Sequence, residues 1–247
     1  MPSWRAHRNI TKAVLKSLGP TIPGGVINGI MDGIIDPDKN PDKVFYVTRK
    51  GVVKEYLTPH HAPIKELINY YFELSLYHFR WGDGYKAGFM LGRALHYVQD
   101  GSLTRRRYLI LDVHEAEEKT IDDITMIPQR IEDVCRGVSV EGKKRSSRAI
   151  EAVCIALRES KNIVEGFVME TQRIVDVDEL RKRVKRIRLA KLLTFLAFAL
   201  PTLVYPLFVV VTIMVAIAVM AYKPRTYHEA MKAGIMIVKP FGVITAY

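Results

Sequence analysis

Apolar residues spaced three and four apart recur through most of the chain to about residue 176. In ITKAVLKSL, Ile10, Val14, Leu15 and Leu18 share one helical face, and Gly19-Pro20 ends it. The same period predicts helices from Pro63 to about Arg80, from about Tyr85 to Val98, over 112–136 and over 146–176. Ser146 or Ser147 would cap the last of these. Between the first two helices, GGVINGIMDGIIDPDKNPDK is rich in Gly, Pro and Asp, which predicts an ordered loop around a short helix. VFYVTRKGVVKEYL, from Val44, fits either a hairpin around Arg49-Lys50-Gly51 or a surface loop. The fold class expected is all-α, a multi-helix domain over residues 1–178.

The pattern then changes. From Leu192 to Tyr222, 31 residues carry no charge. As one straight helix they would reach about 46 Å, against a hydrocarbon core of roughly 30 Å. Pro201 and Pro206 interrupt the run, and both flanks are basic: RKRVKRIRLAK (181–191) before it, Lys223 and Arg225 after. Positive charge at both ends favours a helical hairpin with both ends on the cytoplasmic side; a single span over Thr202–Tyr222 is the alternative. The expected division is therefore a helical domain (1–178), a basic juxtamembrane helix (179–191), a membrane segment (192–222) and a basic, apolar tail (223–247) lying along the membrane or the domain.

The net charge of +11 is concentrated in that basic block, seven of whose residues are Lys or Arg. A juxtamembrane patch of this kind suits membrane lipid with anionic headgroups better than nucleic acid, and no protein partner is inferable. Cys135 and Cys154 have no metal-type spacing and read as reduced, buried thiols. The first twenty residues hold no apolar run of signal-peptide length, so the expected location is the membrane, with the N-terminal domain on the cytoplasmic side.

Six of the seven histidines fall in the first 114 residues. His96 and Asp100 lie four apart in one helix, and His114 and Glu118 repeat the spacing in the next, so each pair shares a helical face. Two such faces converging in a helical bundle can hold a divalent metal. His60-His61 precedes a helix start, and Asp36-Pro37-Asp38 places two carboxylates in a loop. A single His–Asp pair at this spacing is more often a capping or surface contact. Their joint occurrence points to metal.

In order, Trp4, His7, Pro37-Asp38, His60 or His61, LGRALHYVQD (91–100) and His114-x-x-x-Glu118 resemble the zinc-dependent phospholipase C family, the all-α group of alpha-toxin-type phospholipases to which S1/P1-type nucleases are distantly related. The resemblance covers about residues 4–118. It implies one to three zinc ions held by His7, Asp38, His60 or His61, His96, Asp100, His114 and Glu118, with Asp36 as a possible extra carboxylate. It also implies hydrolysis of a phosphodiester by zinc-bound hydroxide. The membrane segment favours a phospholipid substrate; a nuclease and a non-catalytic or weakly active relative are the alternatives. Two positions depart from the family. Trp4 follows Met1-Pro2-Ser3 instead of opening the chain, and Arg106 stands where the family has a further histidine. A guanidinium donates only and cannot ligate, so Arg105 and Arg106 become candidates for binding substrate phosphate. No residue is assigned a catalytic role beyond these ligands.

Overall fold

The computed structural model describes residues 3–47, 53–58, 65–104, 114–203, 208–238 and 243–244. It divides into two compact units, 1–172 with 237–247, and 173–236.

The first unit is predominantly helical. α1 (Trp4–Leu18) is capped by Ser3, whose hydroxyl accepts the Ala6 amide, and it buries Ala6, His7, Ile10, Ala13 and Val14 on one face. α2 (Gly24–Gly33) and a single turn, α3 (Asp36–Lys39), follow. The short helix expected here is present, and the loop expected around it is largely replaced by these two helical segments. The glycines are explained by contact, not by turns. Gly29 and Gly33 on α2 meet Gly88 and Gly92 on α5 (Gly84–Ser102), and a Cβ at any of the four would collide with the backbone of the facing helix. α2 and α5 therefore pack backbone to backbone.

β1 (Lys43–Val47) and β2 (Val53–Leu57) form the hairpin that the sequence left open against a loop, with Lys43 opposite Leu57. A third strand, β3 (Val243–Ile244), joins the other edge of β1, so the chain's end returns to this unit. α4 (Lys65–Arg80) precedes α5 and packs along it. α6 (His114–Ile124) and α7 (Pro128–Arg136) replace the single helix expected over 112–136. Pro128 explains the break, because it lacks an amide hydrogen and its ring clashes with a preceding helical turn. α8 (Ala149–Gln172) begins differently from expectation too. The Ala149 amide donates to Glu117 of α6 at 2.7 Å, while the Ser146 hydroxyl accepts from Arg148.

Three apolar clusters fill the unit. One lies between α2, α5 and α8 (Ile30, Leu91, Leu95, Phe167), one between α1, α7 and α8 (Ile10, Ile131, Val153), and one between α4, α5 and β1 (Leu67, Tyr71, Val44). Cys135 of α7 and Cys154 of α8 form a disulfide, with Cα atoms 5.3 Å apart. This corrects the reading of two reduced thiols. The residues are 19 apart, a spacing that carries no signal until two helices cross.

In the second unit, α9 (Val177–Ala199) starts at Asp176, whose carboxylate accepts the Glu179 amide at 2.9 Å. α9 carries the whole basic block and then runs into the apolar segment, so the change in composition at Lys191 falls inside one helix. α10 (Phe208–Ala221) and α11 (Arg225–Lys232) follow. The helical stretch Phe208–Lys232 is long and apolar enough to cross a membrane, with mean hydropathy 1.7 and none of its apolar window buried.

Candidate metal centre

α5 sets the site. Arg93, His96, Gln99 and Asp100 are three and four residues apart and form one stripe along it. The close α2–α5 contact brings the carbonyl of Ile34, just past α2, to 2.8 Å from His96 Nδ1. α1 delivers His7 to the same place, and α3 delivers Asp38. All of His7, His96 and Asp100 are fully buried.

The hydrogen bonds behind the ring nitrogens decide what those rings offer. The Ile34 carbonyl can only accept, so His96 Nδ1 carries the proton. The Gln99 amide nitrogen donates to the hydroxyls of Thr11 (3.1 Å) and Ser160 (3.2 Å), which turns its oxygen toward His7 Nδ1 at 2.9 Å. His7 Nδ1 is thus also the protonated nitrogen. Both Nε2 atoms lie on the far side of the rings from these bonds and point into one space. There His7 Nε2 is 3.2 Å from Asp100 Oδ1, and His96 Nε2 is 3.3 Å from Asp100 Oδ2 and 3.6 Å from Asp38 Oδ1. The imidazole centroids are 4.6 Å apart. One ligand atom from each of His7, Asp38 and His96 lies within 4.8 Å of the other two.

These separations suit an ion. Tetrahedral zinc with bonds near 2.0–2.1 Å holds its ligands about 3.3 Å from one another. An imidazole whose Nδ1–H is fixed by a carbonyl is the usual outer support of a histidine ligand. The electrostatics agree. Burial alone would depress the His7 pKa. The Asp100 charge, hydrogen bonding to Asp100 and Gln99, and the Asp38 charge outweigh it, so the pKa is raised. The cluster attracts positive charge, whether a proton or a metal ion.

Asp36 belongs elsewhere. Its carboxylate pairs with the Arg93 guanidinium and accepts from the Asn40 amide at 2.8 Å, so it takes no part in the histidine cluster. Arg93 also reaches Asp42 at 2.9 Å and the Asn40 carbonyl at 3.1 Å. Asp42 in turn accepts from Tyr71 and Tyr97, each at 2.7 Å. Burial first, then the Asp42 charge, pushes both phenol pKa values up and keeps them as donors. This network ties the segment bearing Asp38 to α5 one turn from His96.

Compared with protein-family models, curated proteins and solved structures, the chain matches none.

His60, His61, Arg105 and Arg106 lie outside the described residues. His114 opens α6 with its backbone, while its side chain lies outside the described residues. Glu118 is half-buried on α6 and is not in the ligand group of His7, Asp38 and His96. Beside His7, a cavity of about 10 Å³ is lined by Ile10, Leu103, Ile121 and Val153, room for about one water. Sequence reasoning missed Gln99, Arg93 and Asp42. Gln99 and Arg93 stand at i+3 and i−3 from His96, which was the available signal.

Proposed function

We propose that the chain is a membrane-associated, metal-dependent phosphodiester hydrolase of the zinc phospholipase C type, acting on a phospholipid. The observation that carries this is the convergence of two tautomer-fixed Nε2 atoms with Asp38 and Asp100 from three separate elements. The ordered motifs over residues 4–118 and the apolar segment after Lys191 support the substrate class.

Zinc held there would supply Lewis acidity and lower the pKa of a coordinated water toward neutrality. The chain's own groups do the rest. Gln99 and Ile34 hold the imidazoles with their Nε2 lone pairs inward. Asp38 and Asp100 would offset the charge of a bound ion, and Asp100 lies against both rings through its two oxygens. Arg93 fixes the backbone around Asp38 and does not itself face the ion.

A second reading has its own observation. His7, His96 and Asp100 are 0% exposed, and closed coordination is the mark of structural metal sites. On that reading the chain is a non-catalytic relative in which metal pins α1 and α3 to α5. The test is a phosphodiester assay on the full chain in detergent micelles, with phosphatidylcholine and single-stranded DNA as alternative substrates. Hydrolysis of the lipid that disappears in His96→Ala supports the hydrolase. Hydrolysis of DNA alone makes it a nuclease. A zinc-loaded chain inert on both substrates makes the site structural.

A further inference from the structure

α9 and α10 lie antiparallel. The Thr212 hydroxyl of α10 donates to the Phe198 carbonyl of α9 at 2.7 Å, while at the other end the Lys191 ammonium reaches the Tyr222 carbonyl. Residue 198 is thus opposite 212, and 191 is opposite 222. The same ammonium sits 5.8 Å from the Tyr222 ring centroid and 5.2 Å from that of Tyr227, a cation among aromatics at the base of the pair. Such a girdle marks a membrane–water interface.

Above that base the hairpin presents hydrocarbon. Leu193, Leu196, Phe198, Val210, Ile213 and Met214 are all exposed. The hydroxyls of Thr194, Thr202 and Thr212 donate to backbone carbonyls at 2.9, 2.6 and 2.7 Å, which satisfies these three donors within the chain, as an apolar medium requires. Below the base, Lys182, Lys185, Arg186 and Arg188 are exposed, a charge pattern complementary to anionic headgroups. α10 alone, at 14 residues, rises about 21 Å against a hydrocarbon core of roughly 30 Å, and the stretch reaches spanning length only by including α11, which carries Arg225, Glu229 and Lys232.

Connectivity decides the direction of return. The chain leaves the first unit after Gln172, runs through the hairpin, and rejoins that unit, where Val243–Ile244 pairs with Val44 and Lys43. A single crossing by Phe208–Lys232 would leave residues 233–247 across the bilayer from β1. The β1–β3 pairing could not then form.

We infer that the α9–α10 hairpin enters and leaves a bilayer through one face, as a re-entrant anchor, with the Arg181–Lys191 stretch against anionic phospholipid headgroups. This rests on the membrane association proposed above and specifies its topology. It keeps the metal centre and both chain ends on the side from which the hairpin inserts.

The test uses the full chain with a different epitope tag at each end, in sealed membrane vesicles treated with protease. After alkaline carbonate washing the chain stays in the pellet, and without detergent the two tags share one fate, both lost or both protected. One tag protected and the other lost overturns the inference while leaving membrane anchoring intact. A chain released by carbonate overturns anchoring and the inference together, whereas the metal centre is judged separately by zinc content. Val210→Lys should shift most of the chain to the carbonate supernatant; full retention of that variant contradicts insertion of α10. Binding to phosphatidylcholine vesicles should fall several-fold when phosphatidylserine is left out, and equal binding would remove the headgroup contact.

Discussion

Two buried charge clusters share one face of α5, a turn apart, and they balance their charges by different means. Around Arg93 the negative charges of Asp36 and Asp42 meet a guanidinium that stays protonated at any ordinary pH, and Tyr71 and Tyr97 add hydroxyl donors. Around His96, the imidazoles of His7 and His96 face Asp38 and Asp100, and their Nδ1 atoms are bonded to Gln99 and to the Ile34 carbonyl. Buried carboxylates without positive charge cost several kcal/mol each. The first cluster carries its cation within the chain. The second offers imidazoles and carboxylates together, a donor set that could hold a divalent ion. The difference separates carboxylates paired with a guanidinium from carboxylates set beside imidazoles that could hold an ion, although all four look alike in sequence.

Breaking the cluster around Arg93 should have the largest effect on stability. Arg93→Met leaves Asp36 and Asp42 buried without their cation, and should lower unfolding free energy by about 3–5 kcal/mol in urea titrations. A loss under 1 kcal/mol would mean that the guanidinium does not neutralise them. The disulfide provides the control that touches neither cluster. Cys135→Ser opens a loop of 19 residues and should cost about 3 kcal/mol, with zinc affinity unchanged. Alkylation of the unreduced chain followed by mass spectrometry should find neither cysteine modified.

Smaller changes sharpen the second cluster. Gln99→Leu removes the acceptor behind His7 Nδ1 while keeping side-chain volume. Zinc affinity should fall about 10–100-fold with the fold retained. The pH dependence has opposite signs in the two states. Without metal, the raised His7 pKa means the folded chain binds the proton more tightly than the unfolded one. That stabilisation is fully present below the unfolded value of about 6.5 and is lost as pH rises through the raised folded value. With zinc, protons compete for the same nitrogen. Affinity measured by competition with a chelator should therefore begin to weaken above pH 6.5 as acid is added, and keep weakening below it. Constant affinity across that range would exclude His7 Nε2 as a ligand.

Much of the helical framework was legible because amphipathic helices advertise their buried face every three or four residues. The stretch from Gly24 misled because glycine marks turns in isolation. Here Gly29 and Gly33 are helical, and only the facing Gly88 and Gly92 reveal why no side chain is tolerated. The convergence of His7, Asp38 and His96 followed the order of motifs, whereas the division of labour between Asp36 and Asp38 could not. Two residues apart on one helical turn, Asp36 faces Arg93 and Asp38 faces His96, and that depends on where α5 places those two side chains. Cys135 and Cys154 were unreadable for the same reason, since their pairing exists only once α7 lies against α8.

We propose that the group of His7, Asp38 and His96 holds a divalent ion. Metal analysis of the purified full chain, alongside Asp38→Asn and His96→Ala, tests it most directly. At least one zinc ion per chain in the native protein, lost in both variants while helical content is kept, is the result expected. A native chain that purifies metal-free, and whose melting temperature does not move when zinc is added, would contradict it.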